Sequence, residues 1–258
     1  MARAAGAPGW RPWLFTQEWA DVLFAHWPVP AAPLAARLPR GLALDTYQGQ
    51  AWLGVVALRI PSARLAGVLP LPGAGGFAQV NLRTYVTCGG RPGVWFFSLD
   101  APSRLGVAAA RLFFRLPYFH ARVRAAREEG WLALRSRRAD TRGFAAELAV
   151  RYRPAGPAAP ARPGSLDEWL TERYSFYVAD GRGRLLRGDL RHQPWLLQPA
   201  AAAFTANTLA AGLGLGLSGH PPLLHYAEGM PVWFGPLMPA GGGPEPGRGQ
   251  SGGQRGKA

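Results

Sequence analysis

The chain has 258 residues, 48% of them apolar and 11% aromatic, which is enough to bury a sizeable core in one large domain or two small ones. Its formal net charge of +14 comes from arginine, since Lys257 is the only lysine, and its single cysteine, Cys88, excludes an internal disulfide and a multi-cysteine zinc site. No run of about 18 uncharged apolar residues occurs, and the opening MARAAGAPGWRPW lacks the apolar core of a signal peptide, so a soluble cytoplasmic protein with no membrane partner is expected.

Residues 1–12 are expected to be disordered. Thr16 to Trp27 has the aromatic and β-branched character of a strand, interrupted by Pro28 and Pro30, and Ala31 to Leu38 fits a short helix stopped at Pro39-Arg40-Gly41. Leu42 to Thr46 and Ala51 to Ile60 flank a turn at Tyr47 to Gln50, predicting a hairpin whose longer strand sets Trp52, Gly54, Val56, Leu58 and Ile60 on one side. Residues 61–78 are rich in Pro and Gly without a period, which predicts a long loop, either covering a cavity mouth or making a plain surface excursion.

From Val80 to Val86 the residues alternate, with Asn81, Arg83 and Tyr85 on one face and Val80, Leu82, Thr84 and Val86 on the other. Cys88 to Gly93 supplies turn chemistry, and Val94 to Asp100 completes an antiparallel hairpin. With Thr87 opposite Val94, Arg83 faces Ser98 and Asn81 faces Asp100, which brings Arg83 and Asp100 within diagonal reach of an ion pair; a slip of one residue abolishes it. Ser103 caps a helix whose apolar face is Leu105, Ala108, Ala109, Leu112, Phe113 and Leu116, and Pro117 ends it. The next strand turns Tyr118, His120, Arg122 and Arg124 to one side.

Trp131 to Arg138 and Gly143 to Arg153 read as further strands, the second with Phe144, Ala146, Leu148, Val150 and Tyr152 inward. Residues 154–164 are linker-like, and Ser165 with Glu168 matches a capping box that opens a short helix through Trp169 and Leu170. Tyr174 to Val178, Leu185 to His192 and Trp195 to Gln198 predict strands, Ala200 to Leu213 an Ala-rich helix, and Pro222 to Ala227 with Val232 to Leu237 two closing strands. The fold class expected is α+β, mostly β: an antiparallel β-barrel or sandwich with a few short peripheral helices. It would form one domain over residues 13–238, followed by a disordered Gly/Pro-rich tail at 239–258.

Asn81, Arg83, Tyr85, Ser98, Asp100, Tyr118 and His120 form the candidate constellation. Arg83 suits bidentate binding of a carboxylate or phosphate, with Asn81, Tyr85 and Ser98 as ligand-binding neighbours; Tyr118 and His120 suit acid–base chemistry oriented by Asp100. The competing reading is a buried polar network in which Arg83 and Asp100 satisfy each other. No metal site is expected, since His26, His120, His192, His220 and His225 form no i, i+4 pair and lack carboxylates at ligand spacing. Cys88 in a Gly-rich turn reads as a bystander, Ser98 has no nucleophile elbow, and Gly73 to Gly76 neither follows a strand nor opens a helix. Nucleic-acid binding is disfavoured, because the arginines are scattered and the one compact cluster is Arg135 to Arg138.

FAHWPV at 24–29, NLRTYV at 81–86, GVWFFSLDA at 93–101, LPYFHA at 116–121, GSLDEWLTERY at 164–174, and the later HQPWLLQPA and PPLLHYA resemble the YqjF-like family of uncharacterised bacterial proteins, over about residues 13–238. The resemblance implies a fold similar to acetoacetate decarboxylase, a β-barrel-like sheet enclosing a small-molecule cavity, and a homo-oligomer by likeness to that enzyme. The decarboxylase carries its Schiff-base lysine on a Gly-aromatic-Pro-Lys turn, whereas the corresponding-looking Leu116-Pro117-Tyr118-Phe119 has none. Arginine stays protonated and cannot replace it, so amine catalysis is excluded and no cofactor is implied. The function expected is binding of a small anionic or carbonyl-bearing metabolite around Arg83. The alternatives are a lyase or isomerase using Tyr118 and His120, and a basic nucleic-acid-associated protein.

Overall fold

The structure, a computed structural model, describes residues 13–66, 68–70, 75–217 and 223–241. The long first strand, β1 (Phe15–Val29), leads into α1 (Ala31–Ala35), the two-residue β2 (Ala43–Leu44), the long β3 (Ala51–Leu65) and the short β4 (Leu69–Pro70). The central hairpin is β5 (Phe77–Cys88) with β6 (Arg91–Ala101), followed by α2 (Arg104–Phe114), β7 (Tyr118–Glu128), β8 (Trp131–Arg138) and β9 (Glu147–Pro154). Then come β10 (Ala159–Pro160), α3 (Leu166–Thr171), β11 (Ser175–Ala179), β12 (Leu185–Arg191), β13 (Leu196–Asn207) and β14 (Leu223–Pro239).

These strands make one mixed sheet in the order β10-β13-β9-β8-β7-β6-β11-β12-β14-β1-β3-β5-β2, with β4 on β3 and further pairings of β13 with β14 and β6 with β5. The pairing path therefore returns on itself. The expected purely antiparallel sheet is corrected at β6, which pairs parallel with both β7 and β11. The reason lies in the connection: β6 and β7 are joined through α2, and a strand–helix–strand crossover delivers its second strand parallel to the first.

The hairpin expected between Leu42–Thr46 and Ala51–Ile60 does not form. Both edges of β3 are taken, by β1 and β5, so β2 pairs instead with the part of β5 that runs beyond β3, Ala43 opposite Thr87 and Leu44 opposite Val86. The loop expected at 61–78 is shorter, since β3 runs to Leu65, β4 pairs back on it and β5 begins at Phe77; residues 67 and 71–74 lie outside the described residues. The Ala-rich helix is a strand, because β13 pairs with β9 over most of its length and the ladder outweighs the few tenths of a kcal/mol per residue that alanine favours helix. The two closing strands are one, β14, which runs through Gly229 at φ +120°. Expected disorder at 1–12, and in the tail after Gly241, lies outside the described residues, and β14 itself continues to Pro239.

The β1-β3-β5 region is buried on both faces. Leu23, Ala25, Leu53, Val55, Val80 and Leu82 pack against Leu132, Leu134, Leu148, Val150 and Tyr152 of the β7-β8-β9 layer. On the other face Trp52, Tyr85, Val94, Leu170, Phe176 and Val232 pack together. Alternation on β3 and β5 thus separates two buried faces rather than a buried from a wet one, and Asn81, Arg83 and Tyr85 point into protein. The apolar periodicity of α2 has the opposite outcome: Leu105, Leu112 and Phe113 are exposed and only Val107 is buried. Phe144 is likewise exposed, because β9 begins only at Glu147.

Candidate functional site

Strand register builds the floor. Leu223 of β14 lies opposite His26 of β1, His26 opposite Gly54 of β3, and Gly54 opposite Arg83 of β5, so one row crosses four strands on the same face. Gly54 contributes no side chain to that row. A Cβ there would sit 3.2 Å from the His26 ring, 3.3 Å from the Tyr85 hydroxyl and 3.5 Å from Arg83 Cγ, so the bare backbone at Gly54 lets these three groups converge.

The roof is α3 and the residues just after it. Ser165 caps α3 by accepting from Glu168 N, and Glu168 accepts from Gly164 N. The helix sets Trp169 against the Tyr85 ring with centroids 4.6 Å apart, and the Leu170 carbonyl accepts from Arg83 Nη2 at 3.2 Å. Arg173 folds back under α3: its Nε donates to the Trp169 carbonyl, its Nη1 donates to Asp45 at 2.8 Å, and its guanidinium lies 4.3 Å from the Trp169 ring centroid and 5.1 Å from that of Tyr85. His225 meets Asp167 at 3.4 Å on the rim.

Arg83 is 6% exposed and has no carboxylate partner among the described residues. Its Nε, the Nη2 of Arg173, the Tyr85 hydroxyl, the Asn81 carbonyl oxygen and both ring nitrogens of His26 are buried without a hydrogen-bond partner among the described residues. Burial, then the neighbouring Arg83 and His225, hold His26 well below the ordinary imidazole value, so it is neutral at pH 7. Burial raises the Tyr85 phenol, which keeps its proton, while Arg83 and Arg173 oppose the rise. Burial also lowers His192, which stacks on Tyr174 with ring centroids 4.6 Å apart, and His225. The site thus gathers two buried guanidiniums, that of Arg173 already paired with Asp45, a phenol and a neutral imidazole.

Of the constellation read from sequence, Asn81, Arg83 and Tyr85 share this site, and Ser98 and Asp100 do not. The hairpin register carries a bulge at Phe97: Leu82 lies opposite Ser98 and Val80 opposite Asp100, whereas Arg83 lies opposite Phe96. Ser98 and Asp100 therefore project to the other face, and the expected Arg83–Asp100 pair is replaced by Arg138 donating from Nε to Asp100 at 2.9 Å, its guanidinium 4.3 Å from the Phe119 ring centroid. Burial lifts Asp100 to about 6 against the pull of Arg138. Ser98 is at the wall of a cleft of about 520 Å³ with Trp95, Phe119, Arg142 and Phe144. The Tyr118 hydroxyl donates to Gln79 at 2.9 Å, and burial raises its pKa. His120 lines a separate surface cleft with Arg104, Asp140 and Arg142, and no contact joins it to Tyr118 among the described residues.

His26, Gly54, Trp169, Arg173 and His225 were not singled out by strand or motif reasoning, since single His and Arg residues in separate elements carry no spacing signal. Their signal was elsewhere: FAHWPV holds His26, NLRTYV holds Arg83 and Tyr85, GSLDEWLTERY holds Trp169 and Arg173, HQPWLLQPA holds His192, and PPLLHYA holds His225. Five of the seven stretches that carry the family resemblance thus supply residues in or around this site, whereas Ser98 and Asp100 of GVWFFSLDA and His120 of LPYFHA lie away from it.

Solved structures define the class of fold as that of acetoacetate decarboxylase-like proteins. The chain is similar to an acetoacetate decarboxylase from Legionella pneumophila, with a TM-score of 0.58 and 14% identity over 91% of this chain and 92% of that one. It is similar also to the enduracididine biosynthesis enzyme MppR complexed with pyruvate, with a TM-score of 0.59 and 13% identity over 89% and 91% of the two chains. The chain itself belongs to the DUF2071 family, described as an uncharacterized conserved protein (COG2071), which it matches over residues 16–231. It is 44% identical over 225 residues, 87% of this chain and 92% of the other, to the uncharacterized protein YqjF of Bacillus subtilis (strain 168), as the motifs implied.

Proposed function

We propose that this chain is a cytoplasmic protein that binds a small anionic, carbonyl-bearing metabolite of the keto-acid kind within a barrel-like enclosure. Arg83 is the anion partner, and Arg173, Tyr85 and His26 are the surrounding donors. The observation that carries this reading is the buried guanidinium of Arg83, which has no anion of the described residues beside it. A buried charge of this kind costs several kcal/mol unless something neutralises it, and a carboxylate held bidentately does so. The likeness in fold to a protein complexed with pyruvate agrees with a ligand of that size and charge. Chemistry through a lysine Schiff base is not part of the proposal, because the only lysine is Lys257 and no lysine occurs in the site.

The test is thermal unfolding of the wild type and of Arg83→Met with pyruvate, longer 2-keto acids, hydroxy acids and sugar phosphates. A true ligand stabilises the wild type by about 2.7 kcal/mol at a hundredfold excess over its dissociation constant. Arg83→Met should lose that response while unfolding at the same temperature or higher, because a buried unpaired charge has been replaced by an apolar chain of similar length. No response in the wild type, together with a variant several kcal/mol less stable, would make Arg83 a structural residue.

A further inference from the structure

The arginines scattered through residues 122–153 are gathered onto one surface by strand register. On β8, Leu132, Leu134 and Ser136 are buried against the core and Arg135 and Arg137 face out; on β9, Leu148, Val150 and Tyr152 are buried and Arg151 and Arg153 face out. Arg122 lies directly opposite Arg137, and Arg124 directly opposite Arg135. Arg151 follows one strand over, opposite Ala133, and the guanidiniums of Arg151 and Arg153 lie 5.1 and 4.6 Å from the ring centroid of Trp131.

All these arginines are exposed, and none has a carboxylate partner among the described residues. Exposed arginines on other elements, such as Arg64, Arg104 and Arg191, also have no carboxylate partner among the described residues; what sets this face apart is that strand register places its arginines beside one another. The carboxylates on this face are Glu147, opposite Arg137, and Glu128, opposite Trp131. Like charges set directly opposite one another on a sheet are destabilising, so the arrangement works against the fold that displays it.

We propose that this face of β7-β8-β9 binds the phosphodiester backbone of single-stranded nucleic acid. Arginines at alternate positions of a strand repeat at about 6.6 Å and neighbouring strands lie about 4.8 Å apart, so the guanidiniums form a flat lattice that a chain of phosphates can follow. Each fork can hold a phosphate bidentately. Ala133, Ala149, Ala201 and Ala203 alternate with the arginines on the same side, which keeps the surface level, and Trp131 offers a half-buried ring on which a base can stack. The ring of Trp131 can stack only on a base freed from pairing, which favours the single strand. A protein partner would call for an apolar centre depleted of charge, whereas here arginines are interleaved with Trp131 and small alanines.

The test is fluorescence anisotropy with a labelled oligothymidylate, on the wild-type chain, on Arg124→Gln/Arg135→Gln, and on Arg64→Gln/Arg191→Gln, which removes the same charge from exposed arginines away from this face. With all six arginines engaged, log K should fall against log salt with a slope of about −4, a loss of two to three orders of magnitude between about 50 and about 200 mM. The first variant should bind more weakly with a slope near −3 and unfold no earlier than the wild type, while the second binds as the wild type does. Absence of binding at about 50 mM salt, or equal weakening in both variants, would overturn the proposal. So would tighter binding of a duplex of the same length, or competition by polyglutamate equal to that of the unlabelled oligonucleotide.

Discussion

His26 and Arg83 are both cross-strand partners of Gly54, His26 from β1 and Arg83 from β5, and they approach each other over the space that a side chain would fill. Gly54→Ala would place a methyl 3.2 Å from the His26 ring and 3.3 Å from the Tyr85 hydroxyl, so the neighbours must give by a few tenths of an ångström. The expected cost is about 1–3 kcal/mol in urea unfolding, with Gly54→Val worse, together with a weaker keto-acid response. Unchanged stability and binding in both variants would show that the three side chains do not meet there.

The histidines predict acid sensitivity. Burial holds His26, His192 and His225 below the ordinary imidazole value in the folded chain, while in the unfolded chain they titrate near about 6.5. Below that pH the unfolded chain binds more protons, so stability is full above it and falls as pH drops, by up to about 1.4 kcal/mol per pH unit for each histidine. Unfolding of the wild type and His26→Phe between pH 7.5 and 5.5 should give a shallower slope in the variant. Parallel slopes would mean that His26 is protonated in place.

How much of this was legible in sequence depended on range. Alternation located β3, β5 and β9, aromatic and β-branched residues located β1, and the caps at Ser103 and Ser165 located two helices, because those signals are local. What failed was pairing. Nothing local says that both edges of β3 are occupied, or that a bulge at Phe97 turns Asp100 away from Arg83. Arg83 was found because it alternates with apolar neighbours, whereas Arg173 and His26 meet it only through the fold. The arginine face is the same lesson in reverse: dispersed in sequence, it becomes continuous only when β7, β8 and β9 are laid side by side.

Asp100 should titrate in the opposite sense to the histidines. Its folded value of about 6 lies above its ordinary 3.8, so the folded chain binds the extra proton between those values and stability falls as pH rises through that window. Two units at about 1.4 kcal/mol each give roughly 3 kcal/mol. Asp100→Asn removes the titration, so the stability of the wild type relative to this variant should decline by about that amount between pH 4 and pH 6.5. A constant difference would mean that Arg138 already holds the carboxylate ionised throughout.

The roof of the site can be loosened without touching its donors. Ser165 accepts from Glu168 N to cap α3, and Ser165→Ala should cost about 1 kcal/mol and raise amide exchange along that helix. Because α3 supplies the Leu170 carbonyl to Arg83 and the Trp169 ring to Tyr85 and Arg173, keto-acid affinity should fall with it. Ser103→Ala is the matched control: it removes the equivalent bond to Gly106 N from α2, at a similar cost, and α2 packs on β6 and β7 with no hydrogen bond or ring contact to Arg83, Tyr85 or Arg173 among the described residues. If both variants weaken binding alike, the effect is global destabilisation; if only Ser165→Ala does, α3 is the element that closes the ligand site.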